Sequence, residues 1–157
     1  MKSFQQYIVF KESDEIVNKV ASKFHDDWRK SRLKSGTHGA LDAMYEPRMK
    51  PSGLDDGQEI DIAQHYSKLT PKWQAENKAA AQIAVDLVKN AMQQGAKPED
   101  IKSKLLDRLA AEVHEAWMSR NPKADYNAAQ HVPYNSLPEP EKQKDRDHIL
   151  IAIDSLS

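Results

Sequence analysis

A chain of 157 residues with 39% apolar and 30% charged side chains is long enough to bury a real core and reads as a soluble, helix-rich domain. Its net charge of −1 provides no global field to draw in nucleic acid or acidic lipid, and the absence of cysteine excludes disulfides, thiol nucleophiles and thiolate metal sites. No window approaches the ~20 apolar residues of a membrane span, and the N-terminal run lacks the cleavage pattern of a signal peptide. A cytoplasmic protein without nucleic-acid or membrane partners is therefore expected.

In chain order, residues 1–12 read as an N-terminal arm, either a short helix or extended. Ser13 suits an N-cap, and Asp14 and Glu15 suit the positive end of a helix. Ile16, Val20, Phe24 and Trp28 then recur every four residues, which predicts a helix over about 14–33. The stretch 34–60 holds four of the five glycines together with Pro47 and Pro51, so an irregular connection is expected. Thr70 and Pro71 start the next helix, which shows Trp73, Ala80, Ile83, Ala84, Leu87, Val88 and Ala91 on one broad face and ends at Gly95. Pro98, Glu99 and Asp100 begin a third helix, with Ile101, Leu105, Leu109, Val113 and Trp117 as its stripe, stopped by Asn121-Pro122. A last helix is predicted from about Pro140 to Leu156.

Much of this pattern occurs twice. His25-x-x-Trp28, Tyr66-x-x-Leu69 and Asn77-Lys78 are answered by His114-x-x-Trp117, Tyr134-x-x-Leu137 and Asp145-Arg146. Trp28 and Tyr66 stand 38 positions apart, Trp117 and Tyr134 only 17, so the first copy carries 21 extra residues in its connection. The fold expected is mainly α: a pseudo-two-fold pair of helix-loop-helix repeats with long loops and room for short strands. Repeat 1 spans 13–95 with its expanded loop 34–60, repeat 2 spans 96–157, and both are expected to form one compact unit, since neither can bury its apolar faces alone.

The second copy resembles the ryanodine receptor repeat. That family reads His-x-x-Trp-x-x-x-Arg on a helix, then a Tyr-Gly-Pro-Arg-like segment, then His-Pro-x-x-x-Pro-Tyr-x-x-Leu-Pro-x-x-x-Lys-x-x-Asp-Arg. Here His114, Trp117, His131, Pro133, Tyr134, Leu137, Pro138, Lys142, Asp145 and Arg146 carry the likeness, nearly unbroken from Pro133 onward. The first copy keeps His25, Trp28 and Arg32 at the family spacing and has Tyr45-Glu46-Pro47-Arg48, but Asn77-Lys78 replaces Asp-Arg. The second copy departs at Arg120, three positions after Trp117, and at Tyr126-Asn127, which lacks the Pro-Arg. The resemblance implies a tandem pair of divergent repeats, a bacterial or phage setting for a stand-alone chain, and binding of an adenine nucleotide or nucleotide-derived signal.

Each motif has two readings. His-x-x-Trp is either a core tryptophan beside a hydrogen-bonded histidine or a stacking platform at the rim of a cleft. Tyr-x-x-Leu is first a turn that anchors a helix start. The charge run 142–147 is a solvated face, or its Asp-Arg pair locks the copies together. His114-Glu115 lacks the second histidine of a zinc protease helix, since Met118 stands there, and the six histidines show no metal-ligand spacing. No catalytic signature, phosphate loop or cofactor motif is present, so the chain reads as non-enzymatic and cofactor-free. A nucleotide site needs a slot for the base and donors for phosphate. The candidates are Trp28, Arg32, Tyr45, Arg48 and His65 in the first copy, and Trp117, Arg120 and Tyr126 in the second. A nucleotide-like small molecule is the expected partner. The rival is a structural or protein-interaction module that takes a protein partner or a second copy and no small ligand.

Overall fold

A computed structural model describes residues 4–30, 47–54 and 56–157. The chain is mainly α, as the periodicity predicts: among the described residues four helices and one two-stranded sheet form the fold. The helices are α1 (Phe4–Lys30), α2 (Pro71–Gln93), α3 (Leu106–Arg120) and α4 (Glu139–Leu156), and the strands are β1 (Met49–Pro51) and β2 (Glu59–Asp61). The chain divides into two compact units, Met1–Ala79 and Ala80–Ser157, and the division falls within α2.

The first helix corrects one expectation. Ser13 does not cap it, because α1 already runs from Phe4, and the expected arm is its opening turns. No glycine or proline interrupts residues 4–30, and serine inside a helix costs only a few tenths of a kcal/mol, so nothing local stops the helix at Asp14. Of its predicted stripe Val20 and Phe24 are buried, with Val17 and Ala21 beside them, while Ile16 and Trp28 are half-buried. The expected extension to Leu33 lies outside the described residues.

The connection 34–60 is not wholly irregular. Its later part pairs β1 with β2, antiparallel, in the register Met49↔Asp61, Lys50↔Ile60 and Pro51↔Glu59. Pro51 is tolerated because a two-stranded sheet has only edges. The turn between the strands is tied by side chains: the Ser52 hydroxyl donates to Asp56 Oδ1 at 2.7 Å, and the Leu54 and Gln58 amides donate to Ser52 Oγ and Asp56 Oδ1. The start of α2 holds this hairpin. Thr70 Oγ1 donates to the Ser52 carbonyl at 2.7 Å, and Trp73 Nε1 donates to the Pro51 carbonyl at 2.9 Å. Trp73 thus clamps the hairpin instead of joining the apolar face of α2. At Gly53, with φ +84°, an added Cβ would meet Lys72 Cδ at 2.1 Å, so only glycine fits there.

α2 ends as the sequence predicts. Gly95 adopts φ +100°, its amide donates to the Met92 carbonyl, and the Ala96 amide donates to the Ala91 carbonyl. These two bonds make a Schellman cap that satisfies carbonyls the helix leaves open. A helical turn at Pro98–Asp100 restarts the chain, but the third helix is not uniform: Ile101–Leu105 forms a π-helical turn before α3 proper. In the second unit α4 packs along α3. Ile149, Ala152 and Ile153 are buried on α4, and Leu109, Ala110, Val113 and His114 are buried on α3.

Candidate functional site

The sequence repeat is built as a structural repeat. Moving 89 positions along the His-Trp helix and 68 positions along the Tyr-Leu segment carries one copy onto the other. His25 Nε2 donates to the Gln64 carbonyl at 2.6 Å, and His114 Nε2 donates to the Val132 carbonyl at 2.7 Å. Each carbonyl lies two residues before the tyrosine. Each histidine is 4% exposed, and each stacks on the tryptophan three residues later, at 5.5 Å for Trp28 and 5.8 Å for Trp117. Tyr66 and Tyr134 open matching 3-10 turns, closed by Leu69 and Leu137, and all four side chains are buried. The tyrosine hydroxyls reach back to equivalent positions on the preceding helix. Tyr66 donates to Asn18 Oδ1 at 3.3 Å, and Tyr134 donates to Asp107 Oδ1 at 2.5 Å. The bland readings of His-x-x-Trp and Tyr-x-x-Leu therefore describe their histidines, tyrosines and leucines. These tie one helix to the start of the next, while the tryptophans remain partly exposed.

The copies differ in charge. In the second, Arg146 Nε donates to Asp107 at 2.8 Å and its Nη1 donates to Glu139 at 2.9 Å, so Asp107 takes both the phenol and the guanidinium. Those two hydrogen bonds, Tyr134 first, hold the Asp107 carboxyl below its usual range. Burial, and then the bond to Asp107, pushes the Tyr134 phenol up to about 12. Asp145 Oδ2 sits 3.7 Å from His114 Nδ1, with the Asp145 side chain 14% exposed. The run 142–147 is thus only partly a solvated face. Lys144 is exposed, but Asp145 and Arg146 act inside their own copy. In the first copy Asn77 and Lys78 take those places, and Asn77 Nδ2 donates to the Trp73 carbonyl. His25, without a carboxylate at that position, is lowered in pKa by burial above all.

Two of the described candidates of the first copy meet the segment Asp61–His65, Arg48 through its backbone and His65 as its last residue. The end of α1 is fastened to it by His25 on the Gln64 carbonyl and by Arg29 Nε, which donates to the Ala63 carbonyl at 2.8 Å. The start of β1 is fastened to it by the Arg48 amide, which donates to Asp61 Oδ1, and by the Arg48 carbonyl, which accepts from the Ile62 amide. Trp28, three residues beyond His25, is partly buried, whereas Arg48 is exposed. His65 closes the segment by accepting the Ser67 amide on Nδ1, so its ring also serves as the cap of the Tyr66 turn. Arg32 and Tyr45 lie outside the described residues.

In the second copy Trp117 lies between two histidines, stacked on His114 and tilted against His131 at 6.0 Å. His131 Nε2 donates to the Asn121 carbonyl at 2.8 Å. Arg120 ends α3 and is partly buried, while Tyr126, on the 3-10 turn Asp125–Asn127, is 86% exposed and stands apart from the stack.

The buried polar residues that escaped the sequence reading include Arg29 and Asn127. Arg29 is 4% exposed, and its signal was its place four residues after His25, on the same helical face. Asn127 is buried and takes the Ala124 amide on its carbonyl oxygen while donating to the Pro122 carbonyl, which organises the short connection; nothing in its spacing marks it. Asp145, read in the sequence as half of an Asp-Arg pair, is partly buried, and its approach to His114 is not given by the repeat, which aligns it with Asn77. Among the described residues no three histidine or carboxylate side chains converge to hold a metal ion. No family model matches the chain, and no curated protein does.

Proposed function

We propose that the chain is a non-enzymatic module, a divergent tandem pair related to the ryanodine receptor repeats, that binds an adenine nucleotide or a nucleotide-derived signal in the cytoplasm. The site lies in the first copy. The observation that supports it is the fastening of the segment Asp61–His65 to His25, on which Trp28 stacks, and to the backbone of Arg48. That segment is fixed from both sides by backbone and buried side-chain bonds. A rigid support with a partly exposed indole and an exposed guanidinium suits an aromatic base and an anionic group. Arg32 and Tyr45 complete the set by their family spacing. Without a phosphate loop, side chains carry the anion, and affinity is modest. A thermal-shift screen of the full chain against adenine nucleotides, cyclic nucleotides and ADP-ribose tests it. A ligand at 100 times its dissociation constant adds about 2.7 kcal/mol, a shift that is easily read.

A second reading is supported by a specific observation. The histidine, tyrosine and leucine of both motifs are buried with internal partners. That is how a scaffold repeat would use them, and a protein-interaction module needs nothing more. A chain that is shifted by no nucleotide would leave this reading in place.

A further inference from the structure

We propose that Asp145, set against His114, is a proton-held latch between α3 and α4, in which the proton on this largely buried carboxyl keeps the helices and the Tyr134 turn together. Loss of that proton loosens the second unit. His114 Nε2 donates to the Val132 carbonyl, which has no proton to give, so this nitrogen carries hydrogen in every state of the folded ring. The other ring nitrogen, Nδ1, faces Asp145 Oδ2 at 3.7 Å with both side chains largely buried. Protonated, the Asp145 carboxyl is neutral among its buried neighbours. Deprotonated, it is a largely buried carboxylate 3.7 Å from the ring, beyond hydrogen-bond reach, which is the unfavourable arrangement of an uncompensated buried charge.

The surrounding charges favour keeping the proton. On α4, Glu141 adds a second negative charge beside Asp145, and Lys144 opposes it but is exposed and bound to Glu141 at 3.1 Å. Lys142, also on α4, lies over the Tyr134 ring. From α3, Asp107 is engaged by Tyr134 and Arg146. From the connection before the turn, His131 is bonded to the Asn121 carbonyl and packed on Trp117. His148, farther along α4, is lowered in pKa to about 4 by burial and stays neutral. Burial first, and then Glu141, pushes the Asp145 carboxyl up from 3.8 to about 7. Across that interval the folded chain holds a proton that the unfolded chain has released. The stability from this group is therefore present at low pH and lost as pH rises toward about 7. The first copy is the natural control, because Asn77 occupies the Asp145 position.

The test is thermal unfolding of the full chain from about pH 5.5 to about pH 8.5, wild type beside Asp145→Asn. The expected result is a wild-type midpoint that falls by several degrees more than that of the variant across this range. A carbon-13 titration of the Asp145 carboxyl in the wild type gives a second reading, which decides the matter even if the variant does not fold. A carboxyl midpoint near neutrality supports the latch. Parallel unfolding curves, or an Asp145 carboxyl that titrates in the ordinary aspartate range, would overturn it.

Discussion

Tyr66 and Tyr134 occupy the same place in the two copies and answer to different acceptors. Tyr66 meets a neutral amide at 3.3 Å, and Tyr134 meets a carboxylate at 2.5 Å that also holds Arg146. Hydrogen bonds to charged groups are the stronger class, though Asp107 is itself exposed and part of the gain is screened. Tyr134→Phe is expected to cost about 1–2 kcal/mol and Tyr66→Phe about 0.5–1 kcal/mol, read from denaturant unfolding. Histidine burial adds a second expectation. His25 and His148 are both held below their ordinary pKa by desolvation, so they are neutral when folded and charge on unfolding. The unfolded chain then binds more protons at these two sites, and their contribution to stability falls as pH drops below about 6.5, opposite in sign to that of Asp145 and reduced by His148→Gln. At this scale the sequence was informative where a residue recurred in both copies, and blind where burial depended on long-range partners. Arg29 is the example: its carbonyl acceptor, Ala63, lies 34 residues away.

Helix ends were legible where a single residue dictates the backbone, as at Gly95, and misread where a good cap was available but unused, as at Ser13. Gly95→Ala forces a side chain into the left-handed region and should cost about 1–2 kcal/mol, measured by thermal unfolding. The hairpin β1–β2 was hidden because its strands are three residues long and its stability comes from Thr70 and Trp73 on α2, not from alternation of its own side chains. Trp73→Phe removes the donor to the Pro51 carbonyl. It should speed amide exchange at Ser52 and Ile62, which join the hairpin backbone, by more than it lowers global stability. The π turn at Ile101–Leu105 sits inside an unbroken apolar stripe, so four-residue spacing alone could not reveal it.

For the whole molecule, the mainly α class and the internal repeat were readable because they rest on periodicity and on residues that occur twice. The site was readable only in part. Spacing nominated Trp28, Arg48 and His65, but the bonds that tie His25 and the Arg48 backbone to Asp61–His65 join segments far apart in sequence. The most direct test of the proposed function is calorimetry of the full chain with ATP and ADP-ribose, wild type beside Arg32→Ala, Arg48→Ala and Arg120→Ala. The account predicts saturable one-to-one binding, weakened by about 1.5–3 kcal/mol in each of the first two variants and little changed in the third. Arg48 is exposed, so its loss should leave the melting temperature unaltered. Absence of saturable heat with either ligand at about millimolar concentration, or equal losses at Arg48 and Arg120, would contradict a nucleotide site in the first copy.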